Sequence, residues 1–346
     1  KLSFSEGLVA ATAARASCWN GRHSSWRGGR REGKSAFPAL SIRAALPCAG
    51  IAGAASVTGV SNFSPTNAAS EVRAELERTA SLFAREYPSW HLEVFDSIDS
   101  TSAEARRRTE DASRRDPLIL MALHQTAGRG QRDRRWTTPP GKALLFTAAI
   151  PYERLARGHS GIGEPHDFYP LSLWPLLVSL GISLRLRLFG WEAKLKWPND
   201  ILIDGRKVCG VLCEATNRTL LVGVGLNLTQ DANDFASVEH GTNPPGSLLT
   251  SPMDGNANNI EMPQVIPSIV QCVATVLEAP WPEQRMLGYY RSWCDTIGRK
   301  VAYTQDCGAV VRGTAESILD DGRLVIRTDD GDAIPISNPF GEGTIG

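Results

Sequence analysis

The chain has 346 residues, of which 42% are hydrophobic and 21% are charged, so it can bury a sizeable core and wholesale disorder is excluded. At about 150 residues per domain, this length favours two domains. The 37 basic and 37 acidic residues cancel, which excludes a protein that coats nucleic acid through an overall positive charge.

The first seventy residues differ in charge from the rest of the chain. They carry eight basic and two acidic residues, a net charge of +6 that leaves −6 for the remainder. Their richness in Ala, Ser, Gly and Arg, without a helical period, is typical of an organellar transit peptide; a disordered, variable extension is the alternative. We predict a disordered or transit-like segment over residues 1–75, and we expect the natural start to lie upstream, because the chain begins with Lys.

The same segment holds no pattern of a DNA-binding or membrane-spanning element. No pair of amphipathic helices with a tight turn occurs in residues 1–70. Residues 44–60 are uncharged, but they are mostly small, whereas a membrane span needs about 20 strongly apolar residues. We therefore expect neither nucleic acid nor a membrane as a partner. An intracellular protein is predicted, located in the cytoplasm, or in a plastid or mitochondrion if the segment is a transit peptide.

The seven cysteines are odd in number and include no CxxC pair. A disulfide scaffold and a zinc ribbon are therefore disfavoured, and the cysteine usage fits a reducing compartment. Cys209 and Cys213 lie four residues apart in an apolar run, where strand alternation places them on one face. We predict that both are buried core thiols.

The pattern of residues 76–296 predicts an α+β domain that binds the substrates. Apolar residues at helical spacing indicate helices, and apolar or alternating runs indicate strands. In chain order, the expected elements are a helix at 71–88, strands at 91–96, 117–124 and 143–150, a buried helix at 168–189, strands near 193–197, 200–203, 207–215 and 218–226, a polar loop at 229–262, and helices at 264–279 and 283–294.

After residue 298 the pattern changes to short strands with turns between them. The strands are KVAYT, VVRGTAESI, RLVIRT and AIPIS. Asp321-Gly322 and Asp330-Gly331 supply turn chemistry between them. We therefore predict a small all-β domain over residues 297–346.

Two polar clusters follow early strands. The first, DSIDSTS at 96–102, could contact a polar ligand or cap the next helix through Ser100 or Thr101. The second, HQTAGRGQRDRRW at 124–136, combines glycines that let backbone amides approach an anion with arginines that bind carboxylate or phosphate. A solvated basic loop is the alternative. Dinucleotide-binding and P-loop fingerprints are absent from the sequence.

Two further clusters lie in the second half of the domain. KWPNDILIDGRKVCGVLCE at 196–214 carries polar side chains around a hairpin with an Asp204-Gly205 turn, although a plain turn would also explain it. LLVGVGLNL at 220–228 places two glycines inside a strand, which often marks the close approach of a ligand. The polar residues of the hairpin are Lys196, Asn199, Asp200, Lys207 and Glu214.

In this order, the four clusters resemble biotin protein ligase, of the single-function type without a DNA-binding domain. The resemblance spans about residues 91–340, and KWPNDI and AGRG followed by Trp are specific to that family. It implies a mixed sheet with helices, as in class II aminoacyl-tRNA synthetases, and a small C-terminal SH3-like β-barrel. It also implies MgATP-dependent activation of biotin to biotinyl-5′-AMP, followed by transfer to a lysine of the biotin carboxyl carrier domain of acetyl-CoA carboxylase or a related carboxylase. A homodimer is compatible with it.

The resemblance also implies a role for each matching residue. The implied catalytic residues are Lys207, Arg129, Asn199 and Asp200. The implied biotin-binding residues are Ser100, Thr101, Gln125, Gly128, Arg129, Lys207, Gly210 and Gly223. The implied ATP-binding residues are Arg132, Arg134, Trp136, Asn199, Lys207 and Asn227. No metal ligand is assigned, because Mg²⁺ is expected to arrive with ATP.

Two other functions are weighed against this one. A lipoate ligase or octanoyltransferase is a relative that modifies a similar carrier domain, but GRKVCG after KWPND favours the biotin family. A non-enzymatic, biotin-responsive DNA-binding protein is disfavoured by the absence of a helix-turn-helix pattern and by the acidic body. Within the family pattern, Gln131 and Asp133 stand where Arg and Gly are common, so we expect retention of the adenylate to differ from that of the bacterial repressor-type enzymes.

Overall fold

The structure of the protein is a computed structural model. All described residues belong to one compact unit, residues 62–346. The predicted N-terminal segment lies outside the description as far as residue 67, and so do the loop residues Arg132 and Asp133. The described ranges are 68–110, 115–131, 134–155, 169–236, 238, 242–253, 262–279, 283–305 and 308–337.

The predicted helices and strands are confirmed. Most of their ends lie within one to three residues of the predicted positions. The helices are α1 (Ala68–Glu86), α2 (Thr101–Thr109), α3 (Trp174–Leu188), α4 (Met262–Glu278) and α5 (Glu283–Trp293), with two 3₁₀ turns at Tyr152–Arg154 and Leu171–Leu173. The strands are β1 (His91–Ile98), β2 (Leu118–Gln125), β3 (Ala143–Pro151), β4 (Lys194–Lys196), β5 (Asp200–Ile203), β6 (Arg206–Ala215), β7 (Thr219–Asn227), β8 (Lys300–Thr304), β9 (Val310–Ile318), β10 (Leu324–Arg327) and β11 (Ala333–Ile336).

The boundary predicted at residue 75 is wrong, because α1 begins at Ala68. The amphipathic pattern of this helix buries Val72, Leu76 and Phe83. The helix packs against β1 and α4, and the Tyr87 hydroxyl that follows it is 3.0 Å from the Thr275 hydroxyl of α4. Helix α1 is therefore part of the folded domain.

A seven-stranded mixed sheet forms the centre of the domain. Its strand order is β1-β2-β3-β7-β6-β5-β4, in which β1 and β2 are parallel and the other neighbours are antiparallel. Strands β3 and β7 are buried along their whole length, as their continuous apolar runs predict. The prediction of a mixed sheet with helices is thereby confirmed.

Alternation along these strands separates two faces of the sheet. Helix α2 lies on one face, where its Ala105 packs with Leu118, Leu120, Ala149 and Leu221. Cys209 and Cys213 are buried free thiols, as predicted, and burial raises the pKa of both. These thiols alternate with the residues of β6 that face α2.

The segment Leu171–Leu188 is the one stretch of the described chain that is long and apolar enough to cross a membrane. It is 72% buried inside the protein, and its α3 portion packs against α4, α5 and β6. This packing is that of a core helix.

The last four strands form an antiparallel sheet in the order β11-β10-β9-β8. This sheet is bonded to the larger domain, because the Trp197 indole Nε1 donates to the Gly322 carbonyl at 2.9 Å. Arg291 Nε of α5 donates to the Ile318 carbonyl at 2.7 Å. The turn that contains Trp197 is therefore held from below by the small sheet.

Candidate active site

A cluster of hydroxyl groups surrounds the start of α2. We name it the hydroxyl pocket; it comprises Ser100, Thr101, Ser102, Gln125 and Thr147. Ser100 is the N-cap of α2, and its hydroxyl accepts from the backbone N–H of Ala103 at 3.4 Å. The capping alternative is therefore confirmed for Ser100. The hydroxyls of Thr101 and Ser102 project from the first turn of α2 toward Thr147 of β3.

Four members of the hydroxyl pocket, Thr101, Ser102, Gln125 and Thr147, form a connected network. The backbone N–H and Oγ1 of Thr101 donate to Gln125 Oε1 at 2.7 and 3.1 Å. Thr147 Oγ1 lies 2.8 Å from Thr101 Oγ1 and 3.0 Å from Ser102 Oγ. Because every member of this network fixes another, the amide of Gln125 and the hydroxyls are preorganised to bind a neutral polar group.

Sequence reasoning missed Thr147, which is fully buried in β3. Its only signal was a lone hydroxyl inside the apolar run ALLFTAAI. Gly223 of β7 is its register partner, and a Cβ on Gly223 would lie 2.8 Å from Ser102 Oγ. Gly223 therefore allows α2 to approach the sheet closely enough for the network to form.

The glycine-arginine segment folds back as a narrow hairpin. The N–H of Trp136 donates to the carbonyl of Gly128 at 3.0 Å, and the N–H of Gly130 donates to the carbonyl of Arg134 at 2.8 Å. Arg129 and Arg135 face each other between these bonds. This folding brings Trp136, eight residues away along the chain, back over the sheet.

The indole of Trp136 lies on two glycines of neighbouring strands. Gly210 of β6 and Gly225 of β7 are register partners, and a Cβ at either position would lie 3.1 or 2.5 Å from the indole ring. The ammonium group of Lys207 lies 5.7 Å from the centre of the ring, within cation–π range. The indole Nε1 is buried and has no hydrogen-bond partner among the described residues.

Basic groups gather around Asp200 at this end of the sheet. We name Arg134, Lys196, Asp200 and Lys207 the cation cluster. Lys207 Nζ is 2.7 Å from Asp200 Oδ1, and Lys196 Nζ donates to Thr242 Oγ1 at 2.7 Å. Burial lowers the pKa of Lys196. The negative charge of Asp200 raises this pKa, and the positive charges of Lys207 and Arg134 lower it. The cluster therefore concentrates basic side chains at this end of the sheet, which suits a negatively charged ligand.

Asn199 and Asn227 are buried and hold the backbone around the cation cluster. Asn199 Nδ2 donates to the Val211 carbonyl. Asn227 Nδ2 donates to the Gly246 carbonyl at 2.8 Å, and its Oδ1 accepts from Gln230 Nε2 at 2.9 Å. In the structure both asparagines shape the backbone of the site, and their implied contacts with ATP stay predictions.

Arg129 pairs with Glu214 in the structure, and its implied place beside Lys207 at the biotin carboxylate stays a prediction. Its Nη1 is 3.3 Å from Oε1 of Glu214. Along β6, Glu214 lies four residues beyond Gly210, about 13 Å at the rise of a strand, whereas Lys207 Nζ is 3.3 Å from the Cβ position of Gly210. The buried carboxylate of Glu214 attracts the guanidinium of Arg129. The exposed fraction of the side chain is 9% for Glu214 and 47% for Arg129.

Most of the predicted site lies on the face of the sheet that α2 covers. The structure brings together Ser100, Thr101, Gln125, Gly128 and Gly223 at the hydroxyl pocket and Arg134, Trp136, Asn199, Asp200, Lys207, Gly210 and Asn227 around the cation cluster. Arg132 lies outside the described residues. The structure adds Thr147, which completes the hydroxyl network, and it places Lys196, a polar residue of the predicted hairpin cluster, beside Asp200.

In the described part of the chain, no group of three or more His, Cys, Asp and Glu residues could hold a metal ion. Mg²⁺ is commonly bound by one or two carboxylates together with substrate phosphates and water. The single carboxylate of Asp200 within the cation cluster fits that kind of metal, and it does not fit an all-protein metal cage.

A neutral polar pocket and a cation cluster thus lie side by side on one mixed sheet. Residues 94–231 match the model of the Biotin/lipoate A/B protein ligase family. This match agrees with the resemblance found in the sequence.

Known proteins share this similarity over most of the described chain. A biotin–[acetyl-CoA-carboxylase] ligase of Mycobacterium tuberculosis is 26% identical over 243 residues, 68% of this chain and 82% of that protein. The enzyme of the same name from Paracoccus denitrificans is 33% identical over 157 residues, 43% of this chain and 59% of that protein. A biotin protein ligase from Aquifex aeolicus, solved with biotin and ATP, shares the fold with a TM-score of 0.52 at 23% identity, covering 74% of this chain and 98% of that one.

Proposed function

We propose that this protein is a biotin protein ligase. It activates biotin with MgATP to biotinyl-5′-AMP and transfers the biotinyl group to a lysine of a biotin carboxyl carrier domain. The observation that carries the proposal is the joining of the hydroxyl pocket and the cation cluster on one face of the sheet. The named relatives support biotin over lipoate as the acid.

The two parts of the site suit the two ends of biotin. The ureido ring is uncharged and offers N–H donors and a carbonyl acceptor, which the hydroxyls and the amide of Gln125 can match. The carboxylate is negative, and Lys207 provides a positive group for it. The glycines between the two parts leave room for a thin aliphatic chain on the sheet.

In the first step, an oxygen of the biotin carboxylate attacks the α-phosphorus of ATP and pyrophosphate leaves. The acid and the α-phosphate repel each other, so a cation between them lowers the barrier. Lys207 fits this role because it reaches the floor of the site and is held by Asp200. Mg²⁺, when bound with ATP, neutralises phosphate charge. Trp136 contributes an apolar ring and an Nε1 donor that has no partner within the described ranges, which suits the adenylate.

In the second step, the ε-amine of the acceptor lysine attacks the acyl carbon of biotinyl-5′-AMP and AMP leaves. The amine must lose a proton first, since its ordinary pKa is ~10.4. Asp200 is the carboxylate of the cation cluster, and its pairing with Lys207 suits it to orienting that lysine. The acceptor that we propose is the carrier domain of acetyl-CoA carboxylase or a related carboxylase, as the names of the relatives suggest.

Four finer features belong to the same proposal. We propose that the small sheet of β8–β11 is the SH3-like barrel of the family, since its four strands are antiparallel and follow one another in order. We also propose that the protein works without nucleic acid, that it can form a homodimer, and that it acts inside the cell. An organellar location is proposed from the composition of residues 1–70.

The test is transfer of biotin to a purified carrier domain, followed by intact-mass measurement. Incubation with biotin, ATP and Mg²⁺ should add one biotinyl group to the carrier domain, and a carrier whose acceptor lysine is replaced by Arg should gain nothing. Lipoate and octanoate, tested at the same concentrations, should not be transferred. Transfer of lipoate or octanoate without transfer of biotin would support the lipoate-type alternative and reject the proposal.

A further inference from the structure

A buried carboxylate outside the predicted site binds the side chain of Arg129. Glu214 lies near the end of β6 and is 7% exposed. Arg106 Nη2 donates to Glu214 Oε1 at 3.0 Å, and Arg129 Nη1 lies 3.3 Å from the same oxygen. The second oxygen, Oε2, is buried and accepts no hydrogen bond within the described part of the chain. Two guanidinium groups thus supply the compensation that this buried charge needs.

Glu214 borders the hydroxyl pocket. Side chains alternate along a strand, so Glu214 shares its face of the sheet with Leu212, the register partner of Gly223. Arg106 follows Ser102 by one turn of α2 and therefore lies on the same side of the helix. Arg129 reaches the same carboxylate from the loop that begins beside Gln125. One oxygen of Glu214 thus joins the loop, α2 and β6 at the edge of the pocket.

The ion pair with Glu214 holds the Arg129 guanidinium at the end of the sheet where the hydroxyl pocket lies. Glu214 is separated from Gly210, where Lys207 lies, by four residues of strand, about 13 Å. Arg129 and Glu214 form an ion pair without the geometry of a direct hydrogen bond. Arg106 forms both an ion pair and a hydrogen bond with Glu214. Arg106 therefore fixes the carboxylate, and the carboxylate orients Arg129.

We infer that Glu214 and Arg106 are positioning residues that hold the Arg129 side chain as a wall of the hydroxyl pocket, so that Arg129 contributes to binding the uncharged ring of biotin and not its carboxylate. The inference rests on the proposed biotin ligase function. It assigns a part of the specificity to Arg106, which no motif includes, and to Glu214, which the sequence offers only as one polar residue of the hairpin.

The test compares two ligands that share the ring. Biotin and biotinol, in which a hydroxyl group replaces the carboxylate, are titrated calorimetrically into the full chain and into Glu214→Gln, Arg106→Ala and Arg129→Ala. In each variant, the affinity for biotin and the affinity for biotinol should fall by the same factor. This factor should be roughly 10-fold for Glu214→Gln and Arg129→Ala. It should be ~3-fold for Arg106→Ala, because a partly exposed ion pair contributes little by itself. In turnover, KM for biotin should rise while KM for ATP and kcat stay within about 2-fold.

Several results would overturn the inference. One is a loss of affinity in Arg129→Ala for biotin alone, because it would place the guanidinium at the carboxylate. Unchanged affinity for both ligands in Glu214→Gln is another. A third is an equal rise of both KM values, which would indicate general damage to the fold. If Glu214→Gln does not fold, Arg106→Ala carries the same test from the other side of the carboxylate, and Arg106→Lys should restore most of the affinity.

Arg108→Ala is the matched control. Arg108 lies on the same helix and also pairs with carboxylates, those of Glu93 and Glu104, away from Glu214, so its removal should leave the affinity for both ligands unchanged. The two proposals fail differently. If the unaltered chain binds neither ligand, the proposed function and this inference both fall; if it binds both and Glu214→Gln is silent, only this inference falls.

Discussion

The hydroxyl pocket and the cation cluster lie on one face of the same sheet, yet they are built differently. The pocket is buried and uses neutral hydrogen bonds between side chains on regular elements: Thr101, Ser102 and Thr147 are 3%, 5% and 0% exposed. The cation cluster lies at strand ends, and its ion pair is partly open to solvent, with Lys207 33% exposed. A neutral ring is best recognised by fixed partners that exclude water, whereas charged and changing phosphate groups need cations that can adjust.

The comparison predicts that charge removal in the cation cluster has the largest effect. Lys207→Ala removes a cation placed between the reacting anions, which should cost ~3 kcal/mol of transition-state stabilisation, or roughly 100-fold in rate. Biotin-dependent pyrophosphate exchange measures this step. Lys194→Ala is the matched control, because Lys194 is exposed and pairs with Glu192 away from the site. Exchange at the normal rate in Lys207→Ala would reject its role in activation.

Substitutions at two glycines of β7 can distinguish the role of the hydroxyl pocket from that of the cation cluster. A Cβ on Gly223 would lie 2.8 Å from Ser102 Oγ, and a Cβ on Gly225 would lie 2.5 Å from the Trp136 indole. Displacement of the neighbour should cost roughly 10-fold in affinity, as overpacking costs 1–3 kcal/mol. Gly223→Ala should raise KM for biotin, and Gly225→Ala should raise KM for ATP. The same pattern of KM changes in both variants would mean that the two parts do not act separately.

A smaller effect is expected from one hydroxyl of the pocket. Thr101→Val keeps the shape but removes the O–H bonds to Gln125 and Thr147, and the loss of neutral hydrogen bonds costs ~1 kcal/mol, or about 5-fold in biotin affinity. Thr109→Val at the other end of α2 serves as the control, since its hydroxyl bonds to the helix carbonyls of Ala105 and Arg106. Calorimetric titration of biotin distinguishes the two variants, and equal affinity would remove Thr101 from ligand binding.

The smallest effect is expected from removal of residues 1–61, which contain none of the matched motifs. A chain that begins at residue 62 keeps all of α1, whose buried face packs on β1 and α4. It should retain the rate of biotin transfer within about 2-fold, because the matched motifs all lie beyond α1. Steady-state transfer to the carrier domain measures this. A folded, truncated chain that no longer activates biotin would assign a catalytic part to the removed residues.

The elements of the fold could be predicted because their signals are local. The apolar runs of β3 and β7 and the spacing of apolar residues in α1 identify strands and a helix by themselves. The cap at Ser100 was also readable, since a hydroxyl before a polar helix is a standard start signal. The motifs KWPND and AGRG identified the cluster residues that surround Asp200 and Trp136.

Contacts that depend on register could not be predicted. Thr147 joins the hydroxyl pocket only because β3 pairs with β7 so that Thr147 faces Gly223. Arg129 meets Glu214 because β6 places that carboxylate on the face that α2 covers. Neither the partner strand nor its offset is written in the local pattern, and a shift of one residue would turn both side chains to the other face.

The most direct test of the account is biotin-dependent exchange of labelled pyrophosphate into ATP, which requires both parts of the site at once. The purified chain with ATP and Mg²⁺ should exchange label when biotin is added and should not do so with lipoate or octanoate. Biotinol should inhibit this exchange, because it carries the ring without the carboxylate that is activated. Absence of biotin-dependent exchange, or exchange that lipoate or octanoate supports and biotin does not, would contradict the account.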